Sequence, residues 1–221
     1  RGLGDVYKRQ VVSRNGYSEF TVEGTGYTSP GSYLIEGDAT GATYFAAAAA
    51  IGGELELYGL PEDSVQGDIK FLDVLAQMGA KIKKTESSVI IKKSKLHGID
   101  IDMNAMPDAA MTLVPLALYT DGPITIRNIA SWRVKETDRI EAMVKEMSKL
   151  GVKVESGEDY ISIDASTRND VTPTFDTYND HRMAMCMSLI AFDRDIVIND
   201  PECINKTFPT YFNNLKSVSK N

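Results

Sequence analysis

The pattern of apolar positions divides the chain into three similar segments. In each segment a short strand leads to an acidic residue, and a strongly apolar helix follows. The acids are Asp38, Asp108 and Asp180, which lie 70 and then 72 residues apart. A repeat of this length predicts related units that pack around a shared core. The predicted stretches of strand and acid are Ser32–Asp38, Ile99–Asp102 with Asp108 after a loop, and Thr177–Asp180.

The first helix of each segment is apolar nearly all round, which is typical of a helix buried on every side. A second helix in each segment is amphipathic and should keep one face in water. In the first two segments it ends at Gly79 and Gly151, where glycine suits the positive φ of a C-terminal cap. The third copy, Lys206–Val218, is looser. The predicted buried helices are Ala39–Ile51, Met111–Tyr119 and Met183–Phe192.

Alternating apolar and polar residues predict further strands between the helices. These are Glu54–Tyr58, Ile124–Asn128, Ile161–Asp164 and Ile196–Asn199. Alternation of strands and helices indicates the α/β class, here three strand–helix repeats with buried helices inside mixed sheets. If rotation relates the units, the N-termini of the buried helices gather at one end of the domain. Their free N–H groups and positive partial charge would attract anions there.

Composition narrows the function classes. The chain has 221 residues, 43% of them hydrophobic and 25% charged, as in ordinary globular proteins. A net charge of −7 disfavours a nucleic-acid partner. The longest apolar run, Phe45–Ile51, is too short to cross a membrane. Cys186 and Cys203 lack metal-site spacing, so we expect packed, reduced cysteines in a cytoplasmic protein.

The first ten residues stand apart from the rest. Asp5–Gln10 reads like a translated sequencing adaptor, and no apolar segment marks Arg1–Gln10 as a secretory leader. We therefore expect residues 1–10 to be a non-native tail and exclude them from the fold prediction.

Charged residues cluster in Ser131–Arg139, which we predict to open a helix. Arg133, Lys135 and Arg139 would then lie where the helix dipole disfavours cations. Either local pairing with Glu136 and Asp138 or an anionic ligand could compensate, and the sequence leaves both open.

A second polar cluster opens the third buried helix, where His181 and Arg182 follow Asp180. Polar groups at the N-terminus of an apolar helix are more typical of a binding site than of a core. No further His or Cys lies nearby, so a metal site is not expected. We interpret Asp38 as an N-cap, whereas Asp108 and Asp180 are N-caps or site residues. Lys206 precedes a predicted helix start, with Pro209 in its first turn; the alternative is a solvated lysine.

Five strings together resemble the C-terminal half of the EPSP synthase (3-phosphoshikimate 1-carboxyvinyltransferase) family, in order and near its spacing. The resemblance covers Val11–Val218, and the Arg133–Arg139 and Asn179–Met185 strings are highly specific. The others are Glu36–Ala39, Pro107–Thr112 and Lys206–Pro209.

The resemblance implies an enolpyruvyl-transferase lobe, which with a second lobe closes over the substrates. Residues 31–221 would form the C-terminal lobe, and residues 11–30 would end the other lobe. The implied activity transfers the enolpyruvyl group of phosphoenolpyruvate to the 5-hydroxyl of shikimate 3-phosphate, in the shikimate pathway of aromatic amino-acid biosynthesis. No metal or organic cofactor is implied.

Site roles follow from the same resemblance. Shikimate 3-phosphate would contact Asp108, Ser131 and Lys135, and Asp108 would accept the hydroxyl proton. Glu136 would be a proton-transfer group. Ser131 stands where relatives often carry asparagine, so its shorter hydroxyl would reach substrate directly or through water. Phosphoenolpyruvate would bind Arg139, Arg182 and Lys206, supported by His181 and Asp180.

Two alternatives remain open at this point. One is the sister enzyme that acts on UDP-N-acetylglucosamine, which the His181–Met183 string disfavours. The other is a non-catalytic anion-binding repeat domain. We also expect the 221-residue chain alone to lack transferase activity and to self-associate, although the full-length parent would be monomeric.

Overall fold

The computed structural model describes residues 12–24, 29, 31–32, 35–85 and 87–219. The chain forms two compact units, residues 1–36 and 37–221. The predicted non-native tail, residues 1–10, lies outside the described residues, as does part of the 11–30 stretch. In the smaller unit, β1 (Val12–Asn15) pairs antiparallel with β2 (Glu19–Val22).

In the larger unit the repeats appear as successive groups of strands and helices. The first contains α1 (Ala39–Gly52), β3 (Glu54–Tyr58), α2 (Phe71–Gln77), β4 (Lys81–Lys84) and β5 (Ser88–Lys92). The second contains β6 (Ile99–Asp102), α3 (Pro107–Ala110), α4 (Leu113–Leu116), β7 (Ile124–Arg127), α5 (Arg139–Ser148), β8 (Lys153–Ser156) and β9 (Ile161–Asp164). The third contains β10 (Thr174–Phe175), α6 (His181–Ser188), β11 (Val197–Ile198) and α7 (Tyr211–Val218).

Each repeat has its own sheet among the described residues. The first has the antiparallel order β3-β5-β4, and the second has the order β6-β7-β9-β8. β6 and β7 are parallel and joined through buried helices, and β10 and β11 repeat that parallel pairing. The predicted α/β class with mixed sheets is therefore confirmed.

The buried helices form the centre of the larger unit, as their apolar surfaces predict. From Tyr44 to Ile51 every residue of α1 is buried, and Met183–Leu189 is buried in the same way. The alanine surface of α1 lets neighbouring elements approach closely. Cys186 is buried and Cys203 is half-buried, and neither is in a disulfide.

The middle buried helix differs from the prediction. Instead of one helix over Met111–Tyr119, the chain forms α3, α4 and a 3₁₀ turn at Ala117–Tyr119. Pro115 has no N–H to donate within a continuous helix. The helix restarts at Leu113, which places Pro115 in a first turn, where backbone N–H groups have no intrahelical partner.

The leading strands were predicted with mixed success. Ile99–Asp102 is a strand as expected. The strand predicted in Thr177–Asp180 is wrong: the strand is β10, and Tyr178 and Asn179 have φ of 54° and 56°, which a strand cannot contain. Of the first leading strand, Tyr33 and Leu34 lie outside the described residues, and Ser32 and Ile35 belong to no strand.

Helix ends follow local chemistry closely. Gly79 and Gly151 have φ of 103° and 71°, the left-handed geometry predicted for them. Asp38 caps α1 by accepting a hydrogen bond from the Thr40 N–H at 3.0 Å. Two predicted starts were wrong. The Ser131 segment opens a 3₁₀ helix, Ala130–Val134, ahead of α5, and Pro209 precedes α7 rather than lying in its first turn. No helix in the described ranges is long and apolar enough for a membrane crossing.

Candidate functional site

Arg139 is the centre of a charged cluster that joins the second and third repeats. It is the first residue of α5, and its side chain is only 1% exposed. Its guanidinium donates to three carboxylates, each from a different segment of the chain. The contacts are Nε to Asp180 Oδ2 at 2.7 Å, Nη1 to Asp108 Oδ1 at 2.8 Å, and Nη2 to Glu136 Oε2 at 2.7 Å.

These contacts show how a cation is tolerated at a helix N-terminus. The dipole opposes the charge of Arg139, and burial removes water from it. Burial lowers the pKa of Arg139, but hydrogen bonding and attraction to Asp180, followed by Asp108 and Glu136, outweigh it and raise the pKa. Pairing within the local segment supplies one acid, and the second and third repeats supply the other two.

Asp108 collects cations from three directions. It lies in the first turn of α3, and its carboxylate contacts Arg139 on one oxygen and Arg182 Nη2 at 3.3 Å on the other. Lys135 Nζ is 3.5 Å away. Burial raises the pKa of this carboxyl, but Arg182, Arg139 and Lys135 outweigh it and hold the pKa below its ordinary value. Asp108 is therefore ionised at neutral pH and partly open to solvent.

Asp180 combines the two roles that the sequence left open. Its side chain caps α6 by accepting from the Arg182 N–H at 2.9 Å, and it pairs with Arg139 while fully buried. The cap fixes the first turn of α6, which carries Arg182 towards Asp108. Arg182 also donates to the hydroxyl of Tyr44 in α1, at 3.4 Å.

Glu136 and Lys206 close the cluster on its exposed side. Glu136 contacts Arg139 and forms a close ion pair with Lys206. Burial raises the pKa of Glu136, but the Lys206 hydrogen bond, the residue's own backbone and Arg139 lower it to about 2. Lys206 is 55% exposed at its side chain, so this cation remains accessible to a ligand.

His181 lies beside the cluster with its ring buried. Neither ring nitrogen has a hydrogen-bond partner within the described part of the chain, and Nδ1 is 3.6 Å from Asp180 Oδ1. Burial lowers the pKa of the imidazole, and the neighbouring Arg182 lowers it further. The ring is therefore neutral at pH 7.

Ser131 is half-buried on the 3₁₀ helix next to Trp132. The buried Trp132 indole donates to the carbonyl of Pro107 at 2.7 Å, which ties this segment to the start of α3. Arg133 faces away from the acids of the cluster that surround Arg139. It pairs with Asp138 at 2.7 Å and donates to backbone carbonyls of the Gly157–Glu158 turn.

The structure thus brings together seven of the predicted residues. Four cations and three carboxylates lie in contact, which leaves one positive charge in excess. They are Asp108, Lys135, Glu136, Arg139, Asp180, Arg182 and Lys206. Within the described residues, no group of three or more His, Cys, Asp or Glu side chains could hold a metal ion.

Sequence reasoning missed Tyr44 and Asp68. Tyr44 is 138 residues from Arg182, and no spacing rule connects them. Asp68 accepts a close hydrogen bond from Thr40, and its half-buried carboxyl lies near Asp108 and Arg182. Burial raises its pKa. A cavity of about 560 Å³ lies elsewhere, lined by Ala48, Gly52, Phe192, Leu215 and Val218 among others.

Solved structures share this fold. An EPSP synthase from Acinetobacter baumannii aligns over 94% of this chain and 51% of its own, with a TM-score of 0.76 at 24% identity. The enolpyruvyl transferase NikO from Streptomyces tendae covers 98% of this chain and 51% of its own, with a TM-score of 0.74 at 14% identity. The fold is that of the enolpyruvyl transferases.

Sequence comparison is more specific. The family model for EPSP synthase (3-phosphoshikimate 1-carboxyvinyltransferase) matches residues 9–215, and the chain belongs to that family. A 3-phosphoshikimate 1-carboxyvinyltransferase of Marinomonas sp. (strain MWYL1) is 53% identical over 94% of this chain, and one of Aeromonas salmonicida (strain A449) is 50% identical over 95%. The chain spans about half the length of these relatives, 49% in each case.

Proposed function

We propose that this chain supplies the C-terminal part of a site that transfers the enolpyruvyl group of phosphoenolpyruvate to the 5-hydroxyl of shikimate 3-phosphate. The products would be 5-enolpyruvylshikimate 3-phosphate and phosphate, a step of aromatic amino-acid biosynthesis. The observation that carries the proposal is the contact of Arg139, Arg182 and Lys206 with Asp108 and Glu136 in one cluster. Family membership supports it.

Phosphoenolpyruvate carries a carboxylate and a phosphate, and arginine presents planar pairs of donors that suit both. We propose that Arg182, Lys206 and Arg139 bind it. Arg139 is 1% exposed and saturated by acids, so direct contact requires Asp108 or Glu136 to release an N–H group. Arg182 and Lys206 are more exposed, and we expect them to make the first contact with the anion.

Shikimate 3-phosphate would lie against Asp108, Ser131 and Lys135. The ionised Asp108 would accept the proton of the attacking 5-hydroxyl. Its three cations weaken it as a base, and a phosphoenolpyruvate anion that drew Arg139 or Arg182 away would strengthen it. Asp180 and His181 would support Arg182 by fixing the first turn of α6, where Asp180 accepts from the Arg182 N–H.

The proposed reaction is addition followed by elimination. A proton adds to C3 of phosphoenolpyruvate, and the 5-oxygen bonds to C2 as it loses its own proton. Loss of a proton from the new methyl group and departure of phosphate then restore the double bond. We propose that Glu136 transfers the proton at C3 in either the addition or the elimination step. Its low pKa favours the carboxylate, and it can be protonated more readily once Lys206 or Arg139 turns to the substrate. Cations of the cluster would stabilise the departing phosphate.

We assign residues 31–221 to the C-terminal lobe and residues 11–30 to the end of the other lobe, in a cytoplasmic enzyme. The chain spans half the length of its relatives. This favours a second function for the 221 residues by themselves, which is weak anion binding without turnover. The third repeat's sheet has only the two strands β10 and β11, and Val197 of β11 is 49% exposed. Such short, open sheet edges can pair with another copy of the chain, which supports self-association.

Calorimetric titration of the chain with phosphoenolpyruvate tests the site. We expect weak binding that Arg182→Ala abolishes and Arg127→Ala retains, because Arg127 forms an exposed pair with Asp100. Equal affinity in Arg182→Ala and parent would refute the site. Phosphate release by a version extended upstream, with shikimate 3-phosphate or UDP-N-acetylglucosamine as acceptor, separates the two enolpyruvyl-transfer activities.

A further inference from the structure

Glu146 is a charged residue that the proposed reaction does not use. It lies in the last turn of α5 with its side chain 0% exposed, where an unpaired carboxylate would be costly. Its partners come from the loop before α6. The hydroxyl of Tyr178 donates to Oε1 at 2.6 Å, and the backbone N–H of Asp176 donates to Oε2 at 2.9 Å.

Lys149 reinforces the same contact. Its ammonium pairs with Glu146 Oε2 at 2.6 Å, with Asp176 Oδ2 at 3.0 Å, and donates to the carbonyl of Thr174 at 2.9 Å. The end of β10 and the loop that follows it are thus bonded to α5 through backbone and side chains together.

The loop needs this support because of its backbone. Tyr178 and Asn179 are consecutive and both have positive φ, at 54° and 56°. Asparagine tolerates this left-handed conformation, but for the bulky Tyr178 it is strained and persists only where surrounding contacts fix it. The next residue is Asp180, whose N–H donates to the carbonyl of Thr177 at 2.8 Å. The strained turn therefore sets the start of α6.

One face of α5 holds this loop at two places. Arg139 and Glu146 are seven residues apart, so they lie on the same side of the helix about 10 Å apart along its axis. Arg139 bonds to Asp180, and Glu146 bonds to Tyr178 and Asp176. The position of Arg182 depends on both contacts, because Asp180 caps the helix that carries it.

We propose that Glu146, acting through Tyr178, is a positioning residue that holds the strained 176–180 loop and so places Arg182 for anion binding. The ligand part of this inference rests on the proposed function. The positioning part concerns the unliganded chain and is measured separately.

Tyr178→Phe is the main test, since it removes one hydroxyl and keeps the ring, including its contact with Lys145. Glu146→Gln is the second variant, because one amide oxygen cannot replace both carboxylate oxygens. Tyr58→Phe is the matched control: it removes a hydroxyl that bonds Glu56 on an exposed strand. The measurements are residue-resolved hydrogen exchange, melting temperature and calorimetric titration with phosphoenolpyruvate.

We expect exchange at the Asp180 and Arg182 amides to accelerate about tenfold in Tyr178→Phe, and more in Glu146→Gln. The dissociation constant should rise about tenfold, as the binding-competent loop becomes a minor state. Tyr58→Phe should change neither. Unchanged exchange at these amides, or acceleration spread evenly over the chain, would overturn the inference. If the parent binds no phosphoenolpyruvate, the proposed function fails, and the exchange result alone decides the positioning role.

Discussion

Replacing Arg139 with methionine isolates the central ion cluster. Methionine is unbranched and fills much of the same buried space, so packing loss is small compared with charge loss. The three acids then differ in what they keep. Asp108 retains Lys135 and Arg182, and Glu136 retains Lys206.

Asp180 is the acid that is left without a charged partner of its own. Its side chain is 0% exposed, and without Arg139 its contacts in the described chain are the Arg182 N–H and His181. Breaking a buried ion pair by removing one partner costs about 3–5 kcal/mol, because the remaining charge is left without compensation. Asp108 and Glu136 are partly open to water and keep other cations, so each adds a smaller cost than Asp180. Against a total stability of about 5–15 kcal/mol, Arg139→Met should remove about a fifth or more.

The double variant Arg139→Met with Asp180→Asn should recover about 2 kcal/mol or more relative to the sum of the single changes, because it removes the unpaired charge. The penalty of Arg139→Met should also shrink as pH falls. The cations hold the pKa values of Asp108 and Glu136 low, so their contribution is present at neutral pH and lost on acidification. Arg139→Met lacks part of this contribution, so acidification destabilises the variant less than the parent.

Urea unfolding followed by fluorescence measures these differences, since the chain has one tryptophan, the buried Trp132. Arg127→Met is the control, because Arg127 pairs with Asp100 at 2.6 Å but both side chains are more than half exposed. It should change stability within error. The reasoning would be refuted if Arg139→Met were no more destabilising than this control. It would also be refuted if the effects of Arg139→Met and Asp180→Asn were fully additive.

Three further predictions concern other parts of the chain. Burial holds the pKa of His181 below 6.5, so on acidification the unfolded state binds the proton first. Stability should therefore fall below pH 6.5. A His181→Gln variant whose unfolding free energy in urea depends on pH as steeply as the parent's would contradict this. Gly151→Ala should cost about 1–2 kcal/mol, since φ is 71° and the new Cβ would lie 2.5 Å from the Asn169 side chain; Gly122→Ala, which meets only ordinary contacts, is the control, and equal unfolding midpoints would refute it. Light scattering should show self-association of the purified chain, and a clean monomer would contradict the exposed-edge argument.

Local features of this protein were predictable because short-range rules decide them. An all-apolar surface predicted the buried α1 and α6, and the positive φ at Gly79 and Gly151 followed from the end of an amphipathic pattern. The Asp38 cap followed in the same way. Where prediction failed, a competing local effect was responsible. Pro115 divided the middle helix, and a left-handed turn at Tyr178 replaced a strand.

The sequence by itself determined which residues carry charge near helix starts, and it left open whether Arg139 needs a ligand. Only the tertiary structure decided its partners, because Asp108 is 31 residues away and Asp180 is 41. The same holds for Tyr44 and Arg182. Spacing rules describe contacts within a few residues along one element. Contacts between repeats depend on how buried helices and sheets pack, and that packing is set by the whole core at once.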